Sequence, residues 1–158
     1  MGELVLVRID DRLVHGQVMT AWLNYTGANK IVIVDDQTAK DQFMKSILEM
    51  VIPSGIKLEI CGIEDGSVLL RDKLDGKDKV IVLVKSPEAV HGLVDKGVEI
   101  KALNIGGMGA KPGRQKLYKN ITVSEEDKVL LKEMINSGVK VSVQIIPDEK
   151  EILVSKLI

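Results

Sequence analysis

Short runs of valine, isoleucine and leucine alternate along this chain with longer segments whose apolar residues recur every three or four positions, and few folds accommodate that alternation. The runs are Leu4 to Arg8, Ile31 to Asp35, Lys57 to Cys61, Val80 to Lys85, Ala102 to Ile105, Ile121 to Val123 and Val139 to Ile146, each read as a strand. Between them Gln17 to Asn24, Ala39 to Val51, Asp65 to Leu74, Pro87 to Lys96 and Glu125 to Ser137 read as helices. In Ala39 to Val51, for instance, Phe43, Ile47, Leu48 and Val51 share one face, expected to pack on a sheet. The order predicts a single-domain, three-layer α/β/α fold with a mainly parallel central sheet of about seven strands. Composition fits: 45% of residues are hydrophobic but only 3% aromatic, so the core must be aliphatic, as in strands buried on both faces.

Boundary residues support these elements. Ser124 with Asp127 resembles a capping box, and acids at 125, 126 and 127 suit the positive end of a helix dipole. Gly138 and Gly97 fit helix C-termini, and Pro87 a first helical turn. No linker, charge block or repeat divides residues 1–158. The segment Asp148 to Ile158 reads either as a last helix or as a docking element.

Charge and cysteine content narrow the partners. Lysine and arginine total 22 against 23 acids, a net charge of −1, without the basic excess that nucleic-acid phosphates or a membrane surface demand. Cys61 is the only cysteine, which excludes an internal disulfide and a thiolate-rich zinc site. Apolar runs such as Ile31 to Val34 are too short to span a bilayer, and Glu3 sits where a signal peptide wants basic residues. The expected location is the cytoplasm, with small molecules or proteins as partners.

In an open α/β sheet ligands gather at the carboxyl ends of the strands, near free helix-start amides. The first such loop reads Arg8-Ile9-Asp10-Asp11-Arg12-Leu13-Val14-His15-Gly16-Gln17. A neutral imidazole at His15 can attack phosphorus, Arg12 and Arg8 can offer guanidinium forks, and the amides of Gly16, Gln17 and Val18 can add donors. An aspartate can hold the second ring nitrogen and fix the tautomer. The chemistry expected is transient phosphohistidine formation. The same residues also read as turn and cap aspartates, a solvated ion-pair cluster and an ordinary loop histidine. His91, beside the stripe of Val90, Leu93 and Val94, reads as a solvated helical residue.

Arg8 to Val18, RIDDRLVHGQV, followed by Trp22, resembles the opening of IIB components of the mannose/fructose/sorbose family of the bacterial sugar phosphotransferase system. Asp35-Asp36, Pro53 with Gly55, Lys85-Ser86-Pro87, Asn104 to Met108 and Gln144 to Pro147 continue the resemblance in order over essentially the whole chain. It implies a phosphocarrier that takes a phosphoryl group from a IIA phosphohistidine onto His15. The group then passes to a sugar bound by membrane-embedded IIC and IID, so that the sugar is phosphorylated on import. On this reading Arg12 is the main phosphoryl contact, Asp10 the orienting carboxylate and Arg8 its support. The backbone of Gly16, Gln17, Gly107 and Met108 lines the pocket, and neither a metal nor a cofactor is expected beyond the covalent phosphoryl group. The Gly106 to Gly109 stretch also reads as a plain turn, and Lys111 and Arg114 either dock IIA or are solvated loop charges.

Three competing readings fit the residues less well. A receiver domain would use Asp35-Asp36 for magnesium, but the third strand ends in Cys61-Gly62 without a phosphoacceptor aspartate. A histidine-phosphatase-like hydrolase wants an Arg-His-Gly triplet, whereas two residues separate Arg12 from His15. A nucleotide-binding or regulatory module wants a G-x-G-x-x-G that does not follow the first strand. The sequence leaves the sugar, the phosphorylated ring nitrogen and homo-oligomer formation open.

Overall fold

A computed structural model describes residues 2–158. The elements run β1 (Glu3–Asp10), α1 (Gly16–Thr26), β2 (Lys30–Val34), α2 (Asp36–Ala39), α3 (Gln42–Val51), β3 (Lys57–Cys61), α4 (Ile63–Asp72), β4 (Lys79–Val84), α5 (Pro87–Asp95), β5 (Ala102–Gly107), β6 (Gln115–Tyr118), β7 (Ile121–Val123), α6 (Glu125–Asn136), β8 (Lys140–Val143) and β9 (Ile152–Leu153), closed by a 3-10 turn at Val154–Lys156. The main sheet has seven strands in the order β3-β2-β4-β1-β5-β8-β9. All its pairings are parallel except β8 with β9.

Strand alternation builds two cores, one on each face of the sheet. Ile31, Ile33, Ile81 and Leu83 project to one side, where α1 contributes Met19, Trp22 and Leu23 and α3 contributes Leu48. Val32, Val34, Val80, Val82 and Val84 project to the other, beneath Leu70 of α4, Val90 and Leu93 of α5, and Leu131 and Met134 of α6. Each such aliphatic side chain, fully withdrawn from water, is worth roughly 1.5–3 kcal/mol. The capping box at α6 forms as read: Ser124 Oγ accepts from the Asp127 amide at 3.0 Å, and Asp127 accepts from the Ser124 amide at 3.1 Å.

The structure corrects the sequence reading in four places. Ile121 to Val123 is not part of the main sheet but pairs with β6 in an antiparallel hairpin, and the seventh strand is β9, inside the segment read as a helix or docking element. The strand read as Val139 to Ile146 stops at Val143, because β9 covers only Ser142 and Val143, and Gln144–Pro147 leaves as a loop. The helix read as Ala39 to Val51 is two helices, each with its own aspartate cap: Asp35 accepts from the Thr38 amide and Asp41 from the Met44 amide. The apolar face of α3 packs on the sheet through Leu48 alone. Only Leu48 is buried, while Phe43 and Met50 are 76% and 83% exposed.

The topology locates the functional edge. From β1 the chain crosses to β2 on one side, and from β5 it runs on toward β8 on the other, although β1 and β5 are neighbours. Their carboxyl ends therefore flank a switch point, where the diverging connections open a crevice. β1 and β5 pair only from Arg8 and Asn104 upward; toward the opposite edge they part around a cleft of about 760 Å3.

Candidate functional site

Strand β1 runs two residues further than the sequence suggests, and this decides where its charges go. Arg8 and Asp10, two positions apart, project to the same side of the sheet. Both are buried, at 0% and 1% exposure. The Arg8 guanidinium donates from Nη1 to Asn104 Oδ1 and to the Gln144 carbonyl, and from Nη2 to the Ile145 carbonyl at 3.0 Å. It lies 5.4 Å from the centre of the Trp22 ring, whose Nε1 donates to the same Ile145 carbonyl at 2.9 Å. Gly106 has to be glycine here, since a Cβ would overlap the guanidinium. Burial pushes the Arg8 pKa down to about 10, against the opposing pull of Asp10, so the group stays charged at neutral pH. Its Nε is the one buried side-chain polar atom without a hydrogen-bond partner among the described residues.

Asp10 joins this buried cation to an exposed one. Oδ2 lies 3.5 Å from Arg8 Nη2 and accepts from Arg12 Nη2 at 3.0 Å, while Oδ1 accepts from Arg12 Nε at 2.9 Å and from the Arg12 amide at 3.0 Å. The two-pronged bond fixes the Arg12 fork and raises its pKa. The sequence makes Asp10 the carboxylate expected to orient the imidazole, whereas the hydrogen bonds that it accepts orient Arg12. Gly107 lies against the pair: a Cβ there would sit 2.5 Å from Asp10 Oδ1 and 3.4 Å from Arg12 Nη2.

The chain then makes a tight turn in which the Leu13 amide donates to the Asp10 carbonyl at 2.8 Å. Leu13 takes a left-handed φ of 60° and is buried in the core beneath α1. The conformation costs roughly 1–2 kcal/mol and burial of the side chain offsets it with roughly 1.5–3 kcal/mol. This anchor delivers His15 to the N-cap of α1. His15 is exposed, and its side chain makes no capping bond. The first intrahelical bond runs from the Met19 amide to the His15 carbonyl, so the amides of Gly16, Gln17 and Val18 have no partner within the helix, and its first turn carries no acid. An anion beside His15 would meet the positive end of α1.

The second loop supplies Gly107 and Met108. Met108 is buried, and its carbonyl accepts from the Thr122 amide at 2.8 Å. Arg114 is neither a free docking charge nor a solvated one, for it pairs with Asp127 at 3.7 Å; Lys111 is exposed. His91 is not a freely solvated helical residue either, because it lies 3.3 Å from Asp95 on its own helix and 3.3 Å from Glu133 on α6. Asp35 and Asp36 serve local structure, Asp35 as a cap paired with Lys85 at 3.4 Å and Asp36 as acceptor for the Ile63 amide at 2.9 Å.

Sequence reasoning passed over Asn104, Gly106, Trp22 and the Gln144 and Ile145 carbonyls as partners of Arg8. One signal was available: an asparagine between leucine and isoleucine in a buried strand must satisfy a polar partner. Leu13 carried no signal, because its left-handed turn depends on a core that the sequence does not display.

Comparison with known proteins agrees with this geometry. The family described as PTS system sorbose subfamily IIB component matches residues 4–158. The sorbose-specific EIIB component of Klebsiella pneumoniae is 31% identical over 150 residues, covering 95% of this chain and 92% of that protein. The crystal structure of the IIBSor domain of the sorbose permease from Klebsiella pneumoniae superposes with a TM-score of 0.90, at 31% identity, over 95% of this chain and 92% of that one. The mannose-specific EIIAB component of Escherichia coli (strain K12) is 30% identical over 97% of this chain, which spans 47% of that longer protein. No helix among the described residues is long and apolar enough to cross a membrane. With the family match running from β1 to the last residue, the chain belongs to the sorbose subfamily of IIB components and is a phosphocarrier of a sugar phosphotransferase system.

Proposed function

We propose that His15 is the residue that carries the phosphoryl group, received from a phosphohistidine on a IIA partner and delivered to a sugar held by a membrane IIC/IID permease. The observation that carries this reading is the position of His15: exposed, at the head of α1, with no capping bond to occupy its ring. Its neutral imidazole attacks phosphorus as the nitrogen–phosphorus bond to the donor breaks, one bond forming for the one lost. The group's charge meets the free amides of Gly16, Gln17 and Val18 and the Arg12 fork. The reaction is proposed to need no cofactor beyond this covalent intermediate. The EIIAB relative, whose name joins A and B components, supports a IIA partner. We place the protein in the cytoplasm, meeting the permease transiently.

A relay has to release what it binds, since each additional 1.4 kcal/mol of affinity for the phosphoryl group costs about tenfold in onward transfer. Asp10, shared between Arg8 and Arg12, fits that requirement, because it orients the fork and offsets part of its charge. The test is incubation with phosphoenolpyruvate, the general phosphotransferase proteins and a cognate IIA, followed by intact-mass measurement. One acid-labile, alkali-stable phosphoryl group is expected on the wild type and none on His15→Ala. Label that persists in the variant, or that survives acid, overturns the assignment.

A further inference from the structure

Two loops meet at the switch point, and Asp11 is the residue that ties them. Its amide donates to the Gly107 carbonyl at 3.0 Å, and its Oδ2 accepts from the Gly109 amide at 2.7 Å. One residue thus grips the glycine loop at two places two residues apart. From the other side Thr122 of β7 grips the same stretch: its amide donates to the Met108 carbonyl at 2.8 Å, and its hydroxyl lies 2.7 Å from the Gly109 carbonyl. The Met108–Gly109 peptide is therefore held by an amide bond on one flank and carbonyl bonds on the other. What this clamp presses into place is Gly107, which lies against both Asp10 and the Arg12 guanidinium. The Arg12 side chain is partly exposed, and a Cβ on Gly107 would lie 3.4 Å from its Nη2.

We propose that Asp11 is a positioning residue for phosphoryl transfer: by clasping the glycine loop through the Gly109 amide, it keeps Gly107 against the Asp10–Arg12 pair and so holds the Arg12 fork in place. The proposal rests on the phosphohistidine reading above. Asp11 touches neither the phosphoryl group nor the imidazole in this role. In this role it acts as a hydrogen-bond acceptor; its charge also helps to raise the Arg12 pKa, and Asp11→Asn, which removes the charge but keeps an acceptor oxygen, separates the two effects. Freed of the clasp, the stretch just past Gly107 keeps only the Thr122 bonds beyond the end of β5, and Gly109 adds no side chain to hold it. A fork displaced by even an ångström loses much of its value to an in-line transfer.

The experiment compares wild type, Asp11→Ala, Asp11→Asn and Thr122→Val in steady-state transfer from phosphorylated IIA. Wild-type labelling and its loss in His15→Ala serve as the check on the underlying reading. Asp11→Ala should lower kcat about tenfold with KM for the donor within about twofold, as expected for a misplaced transition-state contact. Asp11→Asn retains an acceptor oxygen and should stay within about threefold of wild type, while Thr122→Val should fall between the two. NMR supplies an independent readout. In Asp11→Ala the Gly109 amide should exchange faster and the Arg12 Nε–H signal should move toward its free position, whereas both should be retained in Asp11→Asn. Unchanged kcat in Asp11→Ala, or equal loss in Ala and Asn variants, overturns the proposal while leaving the His15 assignment intact. Absence of wild-type label at His15 overturns the underlying reading instead.

Discussion

Asp10→Asn removes the only carboxylate in contact with the buried Arg8 among the described residues and exchanges one acceptor oxygen for a donor. Breaking a buried ion pair by neutralising one partner costs roughly 3–5 kcal/mol, because the remaining charge stays desolvated. Arg8 keeps Asn104, two backbone carbonyls and the Trp22 face, which places the cost near the lower end, at about 3 kcal/mol. For a chain of this length about 3 kcal/mol lowers the melting temperature by roughly 6–12 °C. Calorimetry at pH 7 reads the shift directly, and it should persist in high salt, because buried charges are screened little. The pH dependence carries a definite sign. A folded Arg8 pKa of about 10 lies below the unfolded value, so above about pH 10 the unfolded chain binds more protons and this group's penalty shrinks. Without Asp10 the Arg8 pKa falls further, and the gap between variant and wild type should narrow as pH rises. Combining Asp10→Asn with Arg8→Met removes the stranded cation and should melt above the single variant. A single variant within about 2 °C of wild type, or a double variant no better than the single, would refute the reasoning.

Gly106→Ala drives a methyl into the Arg8 guanidinium and should cost about 2–3 kcal/mol, read as a drop in urea midpoint; an unchanged midpoint would show that Arg8 can move aside. Arg12→Lys keeps the charge but cannot bond both Asp10 oxygens, so transfer should slow about tenfold while the melting temperature moves by less than about 2 °C; equal rates would mean that the helix amides suffice. Burial, with help from Glu59 and Asp65, pushes the Cys61 thiol up to about 11, so alkylation of the folded protein at pH 8 should be slow and accelerate only in denaturant or as the pH nears that value; prompt labelling at pH 8 contradicts it. Ser124→Ala removes the α6 cap and should destabilise the protein by about 1 kcal/mol in chemical denaturation, a loss that Ser124→Thr should largely spare.

Much of the architecture is legible because burial on both faces imposes a pattern. The isoleucines of β2 and β4 face one core and their valines the other, so the strands announce themselves. Short elements do not: β9 has two residues and β6 four, too few for any period to show. The α3 stripe shows the limit of amphipathicity, since Phe43, Ile47 and Met50 have the spacing of a core face and yet point outward. A pattern marks one side of a helix without saying which side meets the sheet. At the candidate site the place of the loop, between β1 and the head of α1, could be read, but the wiring could not. Ending the first strand at Arg8 made Asp10 a loop residue near His15, whereas the two extra strand residues turn it inward between two arginines. The partners of Arg8 come from β5 and from the loop after β8, and only the tertiary fold brings them together.

The separations in that wiring bear on how the protein is made. Arg8 finds Asn104 across 96 positions and the Gln144 and Ile145 carbonyls across 136 and 137. Closing such long loops is slow, and parallel pairing cannot proceed by local hairpins. During synthesis the loop that bears His15 leaves the ribosome well before the acceptors for the cation behind it, which follow 96 to 137 positions later. Until they arrive, the end of β1 holds an arginine that cannot be buried without losing its hydration. The candidate site is thus completed only when residues up to 137 positions beyond Arg8 are in place, so a half-folded molecule lacks the buried half of that site.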